Sequence, residues 1–245
     1  MIRNTELGIV AMIPARMGSK RIPRKNLRPF CGKPLIQYAI DLARGCEYFK
    51  EIWVNSESDL LGQLAIASGV RFHKRPEELS SDTATNQQFT AEFLEHHPCD
   101  FVVMVNTTSP LLKQETLREF CTFLRSNQYD TVLSVSDQYA ECFFDGEPVN
   151  FSLDRKVNSQ CLTPVREVVW ALTAWRREYF LGISRRGLCG TYSGRLGLFP
   201  IPKDEACDLD TMQDWIIAEA IMKARSEEDK PHKLCTPEMF YEGGA

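Results

Sequence analysis

The chain has 245 residues and a formal net charge of −4, with 43% hydrophobic and 25% charged residues. These values are ordinary for a globular protein, and the length allows one α/β domain, residues 1–245, with a large core. The sequence has no 18-residue apolar run, which excludes a membrane-spanning helix. A pI near 5.7 argues against a nucleic-acid-binding protein, for which a basic domain is expected.

Cysteine and histidine usage excludes two further classes. Nine cysteines are scattered without a C-x-x-C pair, and the four histidines have no ligand spacing. This pattern argues against a disulfide framework and against a zinc site. The first residues, MIRNTELG, lack the apolar core of a signal peptide, so we expect a cytoplasmic protein.

Apolar runs and helical periodicities alternate along the first half of the chain. The predicted strands are 9–13, 52–54, 70–73, 100–106 and 131–136, and the predicted helices are 34–43, 58–68, 86–97 and 114–127. Five such alternations favour a doubly wound, mostly parallel, Rossmann-like α/β sheet. Ligands bind at the carboxyl ends of strands in such sheets, and Arg16, Arg75 and Asn106 each follow a predicted strand end.

The alternation is interrupted between Gln138 and about Gln160, which have no helical period and carry two acidic–aromatic patches. A disordered lid is one interpretation of this composition. The remaining predicted elements are strands 168–175 and 196–202 and helices 176–183 and 215–224.

A cationic loop follows the first predicted strand. Between Arg16 and Lys33 there are seven basic residues and no acidic one, and Gly18, Pro23 and Pro29 disfavour a regular helix. Basic side chains and backbone N–H groups on a stiff loop are well suited to a polyphosphate. A solvated basic surface is the alternative interpretation. Neither a Walker A loop nor a G-x-G-x-x-G motif is present.

An acidic pair, Asp208 and Asp210, is the second chemical element. In an extended segment both carboxylates point to one side, while Leu209 points to the core. Mg²⁺ prefers one or two carboxylates together with phosphate oxygens, so the pair predicts a metal site facing the loop. The alternative is helix capping, because Thr211 and Asp214 resemble a capping box.

The chain resembles the acylneuraminate (CMP-sialic acid) cytidylyltransferases, relatives of the CMP-Kdo synthetases, in three motifs. These are P-A-R-x-G-S-K-x-I-P-x-K-N, the G-K-P-L-I that follows it, and the later D-L-D-T-x-x-D. The resemblance covers residues 9–135 and 201–220. It implies a loop that wraps the triphosphate of CTP, a bound Mg²⁺, and an arm at about 138–175 that pairs two subunits into a homodimer.

The resemblance also implies roles for individual residues. The expected nucleotide-binding residues are Arg16, Ser19, Lys20, Lys25, Asn26 and Arg75. The expected catalytic residues are Arg16, Lys25, Asp208 and Asp210, of which Asp208 and Asp210 would bind the metal.

The acceptor half departs from the family pattern. The family has Q-P-T-S-P where this chain has Asn106 followed by TTSP, and the stretch SQCLTPVREVVWALT puts Ser159, Val169 and Thr173 where the family has arginine, asparagine and tyrosine. Asn106 and Arg166 are the predicted substrate-binding residues, and Arg155 is an alternative source of the missing positive charge.

We therefore expect transfer of CMP from CTP to a nonulosonic or related acidic sugar with release of pyrophosphate. One alternative is the same chemistry on Kdo or a phosphonate, and another is a non-catalytic nucleotide-binding homologue.

Overall fold

A computed structural model describes residues 8–126 and 128–227. The N-terminal segment on which the expected cytoplasmic location rests lies almost wholly outside this range, as does the end of the predicted single domain. Among the described residues, no helix combines the length and the apolar character needed to cross a membrane.

The strands are β1 (Ile9–Pro14), β2 (Pro29–Phe30), β3 (Lys33–Pro34), β4 (Phe49–Ser56), β5 (Arg71–Lys74), β6 (Phe101–Val105), β7 (Thr131–Gln138), β8 (Phe143–Phe144), β9 (Glu147–Pro148), β10 (Val165–Arg176) and β11 (Leu196–Pro200). The α-helices are α1 (Leu35–Arg44), α2 (Asp59–Ala67), α3 (Asn86–His96), α4 (Gln114–Ser126), α5 (Arg177–Ser184) and α6 (Met212–Glu227). Three short 3-10 helices lie at Lys25–Leu27, Glu77–Ser80 and Ser159–Cys161.

Seven strands form the central sheet in the order β11-β7-β10-β6-β1-β4-β5. All neighbouring pairs are parallel except those of β10, which runs antiparallel to both β6 and β7. The predicted mostly parallel α/β sheet is therefore confirmed. The predicted arm at about 138–175 is only partly separate from this sheet, because β10 is one of its inner strands.

The alternating side chains of β1 explain why helices cover both faces of the sheet. Ile9, Ala11 and Ile13 point to one face and pack with α1, α2 and α4. Val10 and Met12 point to the other face and pack with α3 and α5. Because β1 is buried on both faces, its sequence is a continuous apolar run rather than an alternating one.

A third, smaller apolar cluster lies outside the sheet, beneath the cationic loop. Ile22 of the loop and Leu209 of the acidic segment are both fully buried in it, together with Trp215 of α6. Phe30 of β2 packs edge-to-face on Trp215, with ring centroids 5.3 Å apart. This cluster joins the loop and the acidic segment although they are far apart in sequence.

The ladder between β7 and β10 is interrupted at Ser134. Residues 169–172 of β10 lie opposite this single residue, since Val168 pairs with Val135 and Thr173 pairs with Leu133. The Ser134 hydroxyl contacts the carbonyl oxygens of Val169 and Leu172 and accepts a hydrogen bond from the Leu172 N–H at 3.0 Å. One side chain thus replaces the missing backbone pairing.

Three histidines meet beside the edge strand β5, although their sequence spacing gave no sign of it. His73 Nε2 lies 2.8 Å from Glu92 Oε2, and His73 Nδ1 lies 2.9 Å from His97 Nε2. His96 Nδ1 lies 3.2 Å from Glu92 Oε1. Burial, and then the neighbouring His73, lowers the pKa of His97 to about 4.

Candidate active site

The cationic loop leaves the carboxyl end of β1, at the middle of the sheet. Its first cations are paired with Asp82, which follows the 3-10 helix after β5. Arg16 Nη1 lies 3.0 Å from Asp82 Oδ1, and Lys20 Nζ contacts the other oxygen. These side chains are largely exposed, so the ion pairs contribute little to stability and can be exchanged for a ligand.

Lys25 stands deeper than the other loop cations. Its Nζ donates a 2.6 Å hydrogen bond to the carbonyl oxygen of Leu209 and lies 3.7 Å from Asp210 Oδ1. Burial lowers the pKa of Lys25, and the nearby Asp210 and Asp208 oppose that shift. Lys25 is therefore in direct contact with the segment that carries the acidic pair. The sequence alone predicted only that the loop and the pair face each other.

Asn26 has one satisfied and one unsatisfied polar atom. Its Nδ2 donates to the carbonyl oxygen of Arg16 at 3.0 Å, which fixes the side chain. Its Oδ1 is buried and has no hydrogen-bond partner. Because Asn26 lines the cleft described below, this oxygen is an acceptor placed to meet a donor on a ligand.

Arg75 is almost fully buried, unlike the cations of the loop. Its Nε donates to Asn55 Oδ1 at 2.7 Å, its Nη2 donates to the Asn55 carbonyl oxygen at 2.8 Å, and the guanidinium lies over the ring of Phe89. Burial lowers its pKa to about 10, so it remains charged at neutral pH. Arg75 therefore ties the end of β4 in place as well as lining the cleft.

The acidic segment confirms one expectation and corrects another. Leu209 is fully buried, as predicted. The segment is not plainly extended, because the Asp210 N–H donates to the Asp208 carbonyl oxygen at 3.0 Å, which closes a tight turn. The Leu209 N–H donates to the Thr108 carbonyl oxygen at 2.9 Å, which anchors the turn to the loop after β6.

The two carboxylates differ in their surroundings. The Asp208 side chain reaches solvent, but many protein atoms surround its carboxylate. This partial burial raises the pKa of Asp208, and repulsion from Asp210 raises it further. A hydrogen bond from Thr108 lowers the pKa and so opposes both effects. Asp210 Oδ1 pairs with Arg21 at 2.8 Å.

The capping box is also present, since Thr211 N–H and Oγ1 contact Asp214 Oδ2 at 2.6 and 2.8 Å. That box uses Asp214 and leaves the side chains of Asp208 and Asp210 outside it.

Two clefts adjoin this centre. The first has about 540 Å³ of empty space and is lined by Pro14, Ala15, Arg16, Lys25, Asn26, Arg75, Asn86, Phe89, Met104, Asn106, Thr107 and Thr108. The second has about 740 Å³ and is lined by Ser136, Gln138, Glu167, Val168, Val169, Trp170, Lys203, Ala206 and Asp208. The contact between Asp208, which lines the second cleft, and Thr108, which lines the first, joins the two clefts.

The first cleft brings together most of the predicted nucleotide-binding residues. Arg16, Lys25, Asn26 and Arg75 line it, while Ser19 and Lys20 lie farther out on the loop. Asn86, at the start of α3, was missed by the sequence analysis. The preceding Thr85, which forms a capping box with Gln88, was the available signal, because helix N-termini often face anions.

The predicted acceptor residues are more dispersed. Asn106 lines the first cleft, and its Nδ2 donates to the Trp170 carbonyl oxygen at 2.8 Å. Arg166 pairs through Nε with Asp137 at 3.2 Å and lines neither cleft. Val169 lines the second cleft, whereas Ser159 is exposed on a 3-10 helix of the arm.

Thr173 also lies away from the second cleft, at 1% exposure within β10. Of Val169, Trp170 and Thr173, only the first two therefore line the second cleft. Thr173 pairs with Met104 and Leu133 in the sheet interior, where its side chain cannot reach a sugar bound in the second cleft.

The donor set fits Mg²⁺ bound together with phosphate oxygens. Both cationic contacts of Asp210 use Oδ1, which leaves Oδ2 available, and Asp208 faces the second cleft. Within the described residues there is no group of three or more side chains that could hold a metal alone. Mg²⁺ does not require such a group, since it commonly takes one or two carboxylates and completes its shell with phosphate and water.

The sequence of this chain matches the family model described as "Cytidylyltransferase" over residues 10–160. The chain belongs to the cytidylyltransferase family. It is 35% identical over 219 residues to N-acylneuraminate cytidylyltransferase A of Danio rerio, an alignment covering 86% of this chain and 50% of the relative. It is 30% identical over 236 residues to pseudaminic acid cytidylyltransferase of Campylobacter jejuni, covering 89% of this chain and 97% of the relative.

This chain covers different shares of the length of its relatives. The chain spans about half of the Danio rerio protein and about half of a Streptococcus agalactiae N-acylneuraminate cytidylyltransferase, to which it is 28% identical. It spans almost the whole of the Campylobacter jejuni protein.

Solved structures share the fold of this family member. A CMP:2-keto-3-deoxy-manno-octonic acid synthetase complexed with CTP superposes with a TM-score of 0.66 at 16% identity, covering 89% of this chain and 99% of that one. The 4-diphosphocytidyl-2C-methyl-D-erythritol synthase of Anaerococcus prevotii superposes with a TM-score of 0.65 at 15% identity, covering 89% and 97%. At these identities the likeness establishes the fold.

Proposed function

We propose that the protein transfers CMP from CTP to a nonulosonic or related acidic sugar, with release of pyrophosphate. The observation that carries the proposal is the meeting of Lys25 with the Asp208–Asp210 turn at the junction of two clefts. A nucleotide in the first cleft would have its phosphates beside these groups, and an acceptor in the second cleft would approach from the Asp208 side.

In this reaction the acceptor hydroxyl attacks the α-phosphorus in line, and the bond from that phosphorus to the bridging oxygen of pyrophosphate breaks. Such transfers depend mainly on positioning and on charge neutralisation. Arg16, Lys20 and Lys25 would supply the countercharge to the triphosphate, with Ser19 as a neutral donor. The free Oδ1 of Asn26 would accept a hydrogen bond from a ribose hydroxyl.

Asp208 and Asp210 would hold Mg²⁺, which in phosphoryl-type transfers neutralises developing charge on phosphate oxygens. Their oxygen donors and the available Oδ2 of Asp210 support this assignment. Lys25 would then fix the turn through the Leu209 carbonyl oxygen. Arg21, which pairs with Asp210 at 2.8 Å, would exchange that partner for phosphate.

We also propose a homodimer that works in the cytoplasm, where CTP is found. The arm between β7 and β10 exposes large apolar side chains, among them Phe144 at 79% and Leu153 at 71%. Exposed apolar surface of this kind is typical of a protein–protein contact. A second copy of the chain is the partner we propose, and sedimentation analysis of wild-type protein and of Phe144→Ser would test it.

The proposed reaction is tested by pyrophosphate release, with four nucleoside triphosphates against N-acetylneuraminate, pseudaminic acid, Kdo and phosphonates. We expect CTP to be preferred. N-acetylneuraminate should be a poor substrate, because Ser159 and Val169 lack the polar groups of the family pattern and unmade polar contacts cost selectivity. Tight CTP binding without turnover of any acid would instead favour the non-catalytic homologue.

A further inference from the structure

The second cleft contains a single positive charge. Of its lining residues, Asp208 and Glu167 are acidic, Lys203 is basic, and the others are neutral. The Glu167 carboxylate accepts a hydrogen bond from Gln138 Nε2 at 3.0 Å, so it has a neutral partner. An acidic ligand entering this cleft would therefore meet two carboxylates and could pair only with Lys203.

The backbone around Lys203 is held firmly on both sides. Ile201 extends the pairing of β11 with β7 through its N–H to the Val135 carbonyl oxygen at 2.8 Å. Glu205 is 1% exposed, and its Oε2 accepts from the Lys113 N–H at 2.8 Å. Asp204 is paired with Arg225 at 2.7 Å. The acidic neighbours of Lys203 are thus turned to other partners.

The Lys203 side chain itself makes no hydrogen bond or ion pair with the described side chains and backbone of residues 8–126 and 128–225. The two arginines considered from sequence are placed differently. Arg166 is paired with Asp137, and Arg155 is exposed on the arm. Neither arginine lines the cleft. Lys203 lies five positions before Asp208, so the cation and the proposed metal-binding carboxylate belong to one short segment.

From this arrangement we infer that Lys203 binds the carboxylate of the acceptor and thereby replaces the cation lost at Ser159. The inference rests on the proposed function. Lysine is a flexible point charge with three donors, suited to a carboxylate that is partly solvated. The acceptor would lie with its acid group on Lys203, its reactive hydroxyl toward Asp208, and a less polar face against Val169 and Trp170.

The test compares Lys203→Ala and Lys203→Arg with wild-type protein, using the best acid of the panel and its carboxamide analogue. Lys203→Ala should raise KM for the acid about 20- to 100-fold, within the range expected for a lost charge-assisted contact. Lys203→Arg should retain most of the affinity. The dissociation constant for CTP should stay within about twofold in both variants.

The carboxamide separates a carboxylate contact from a general disturbance of the cleft. Wild-type protein should prefer the acid strongly over the carboxamide, and Lys203→Ala should lose that preference. Arg166→Ala and Arg155→Ala are the matched controls, and each should keep both KM and the preference. An unchanged acid KM in Lys203→Ala, or loss of the preference in Arg166→Ala, overturns the inference.

Failure of the proposed function is distinguishable from failure of this inference. If wild-type protein turns over no acid, the proposed reaction is wrong, and acid binding is then measured by calorimetry on the CTP-saturated protein. Weaker acid binding in Lys203→Ala than in wild-type protein would still support the carboxylate site. Equal acid binding in the two proteins, or no binding to wild type, would overturn it.

Discussion

The nucleotide side and the acceptor side of the site are built in different ways. On the nucleotide side, Arg16 and Lys20 are paired with Asp82, and Arg21 and Lys25 with Asp210. On the acceptor side, the single cation has no ion-pair partner within the described residues. Phosphates must therefore exchange existing partners, whereas an acid entering the second cleft breaks no ion pair.

This difference explains why the nucleotide side can carry so much charge. The carboxylates of Asp82 and Asp210 offset the positive charge of the loop before a ligand arrives. The exposed pairs are weak, so their exchange costs little. In the proposed reaction, selectivity for the acceptor would depend on few groups, and changes at those groups would have large effects on which acid is used.

The largest effect is expected at the acidic turn that both sides share. Asp208→Asn and Asp210→Asn should each lower kcat by about 100-fold or more, as expected when a group that stabilises transition-state charge is lost. The melting temperature should change by only a few degrees, because burial already raises the pKa of Asp208 and the pair with Arg21 is exposed. Pyrophosphate release and thermal melts measure both quantities.

Asp204→Asn is the control for this prediction, because Asp204 lies on the same segment and pairs with Arg225 away from the clefts. It should keep its activity. If Asp208→Asn or Asp210→Asn unfolds early but keeps its activity per folded molecule, the acidic pair is structural.

A smaller effect is expected for the loop cations. Arg16→Ala and Lys25→Ala should each weaken CTP binding about tenfold or more, since a charge-assisted contact contributes about 1.5–3 kcal/mol. Calorimetric titration measures this change. Lys33→Ala removes a cation that pairs with Asp41 on α1, and it should leave CTP affinity unchanged. Unchanged affinity in both loop variants would refute the assignment of the loop to phosphate.

Arg75 should behave differently from the loop cations because it is buried. Arg75→Ala removes two hydrogen bonds to Asn55, at 2.7 and 2.8 Å. A loss of about 1.5–3 kcal/mol, at about 2–4 °C per kcal/mol for a domain of this size, lowers the melting temperature by about 3–12 °C. Arg16→Ala should change it by less than about 2 °C. Equal melting temperatures for the two variants would contradict this distinction.

The smallest effect concerns the three histidines beside the edge strand β5. The pKa of His97 in the folded protein is about 4, below its unfolded value near 6.5. As the pH falls, His97 therefore gains its proton in the unfolded chain before it does so in the folded protein. The contribution of neutral His97 to the free energy of unfolding is complete above about pH 6.5 and is lost as the pH falls toward 4. The charged and titratable groups around it are Glu51, Glu92, Arg71, His73 and His96.

Melting temperatures between pH 7.5 and 5 should fall less for His97→Gln than for wild-type protein. His96→Gln is the control, because the His96 side chain is 62% exposed and should follow the wild-type curve more closely. Parallel curves for wild-type protein and His97→Gln would show that another group controls acid stability.

Part of the first cleft could be predicted from sequence because several of its lining residues are close together in the chain. One segment supplies the strand end, Arg16, Lys25 and Asn26, and Leu209 shows by its apolar character how the acidic pair faces outward. The acceptor side could not be predicted in the same way. Glu167 and Trp170 lie on β10, whereas Lys203 follows β11, and their meeting depends on β10 entering the sheet antiparallel between β6 and β7.

Tertiary contacts explain the other features that the sequence did not predict. An apolar run of eight residues predicts a strand but not its direction, so the place of β10 was open. His73 and Glu92 lie on β5 and α3, and no helical or strand period relates them. The tight turn at Asp208 depends on the Leu209 hydrogen bond to the Thr108 carbonyl oxygen, about a hundred positions earlier in the chain.

The Ser134 hydroxyl has a consequence for how acceptor preference can evolve. Ser134 is fully buried and lines neither cleft, yet its hydroxyl contacts the backbone of Val169 and Leu172, within the stretch of β10 that carries Trp170. Asn106 holds the same stretch from the other side, through the carbonyl oxygens of Trp170 and Ala171. A substitution there would tilt the acceptor wall without altering any ligand-contacting side chain. Libraries intended to change the acceptor of the proposed reaction should therefore randomise Ser134 as well as the surface of the second cleft.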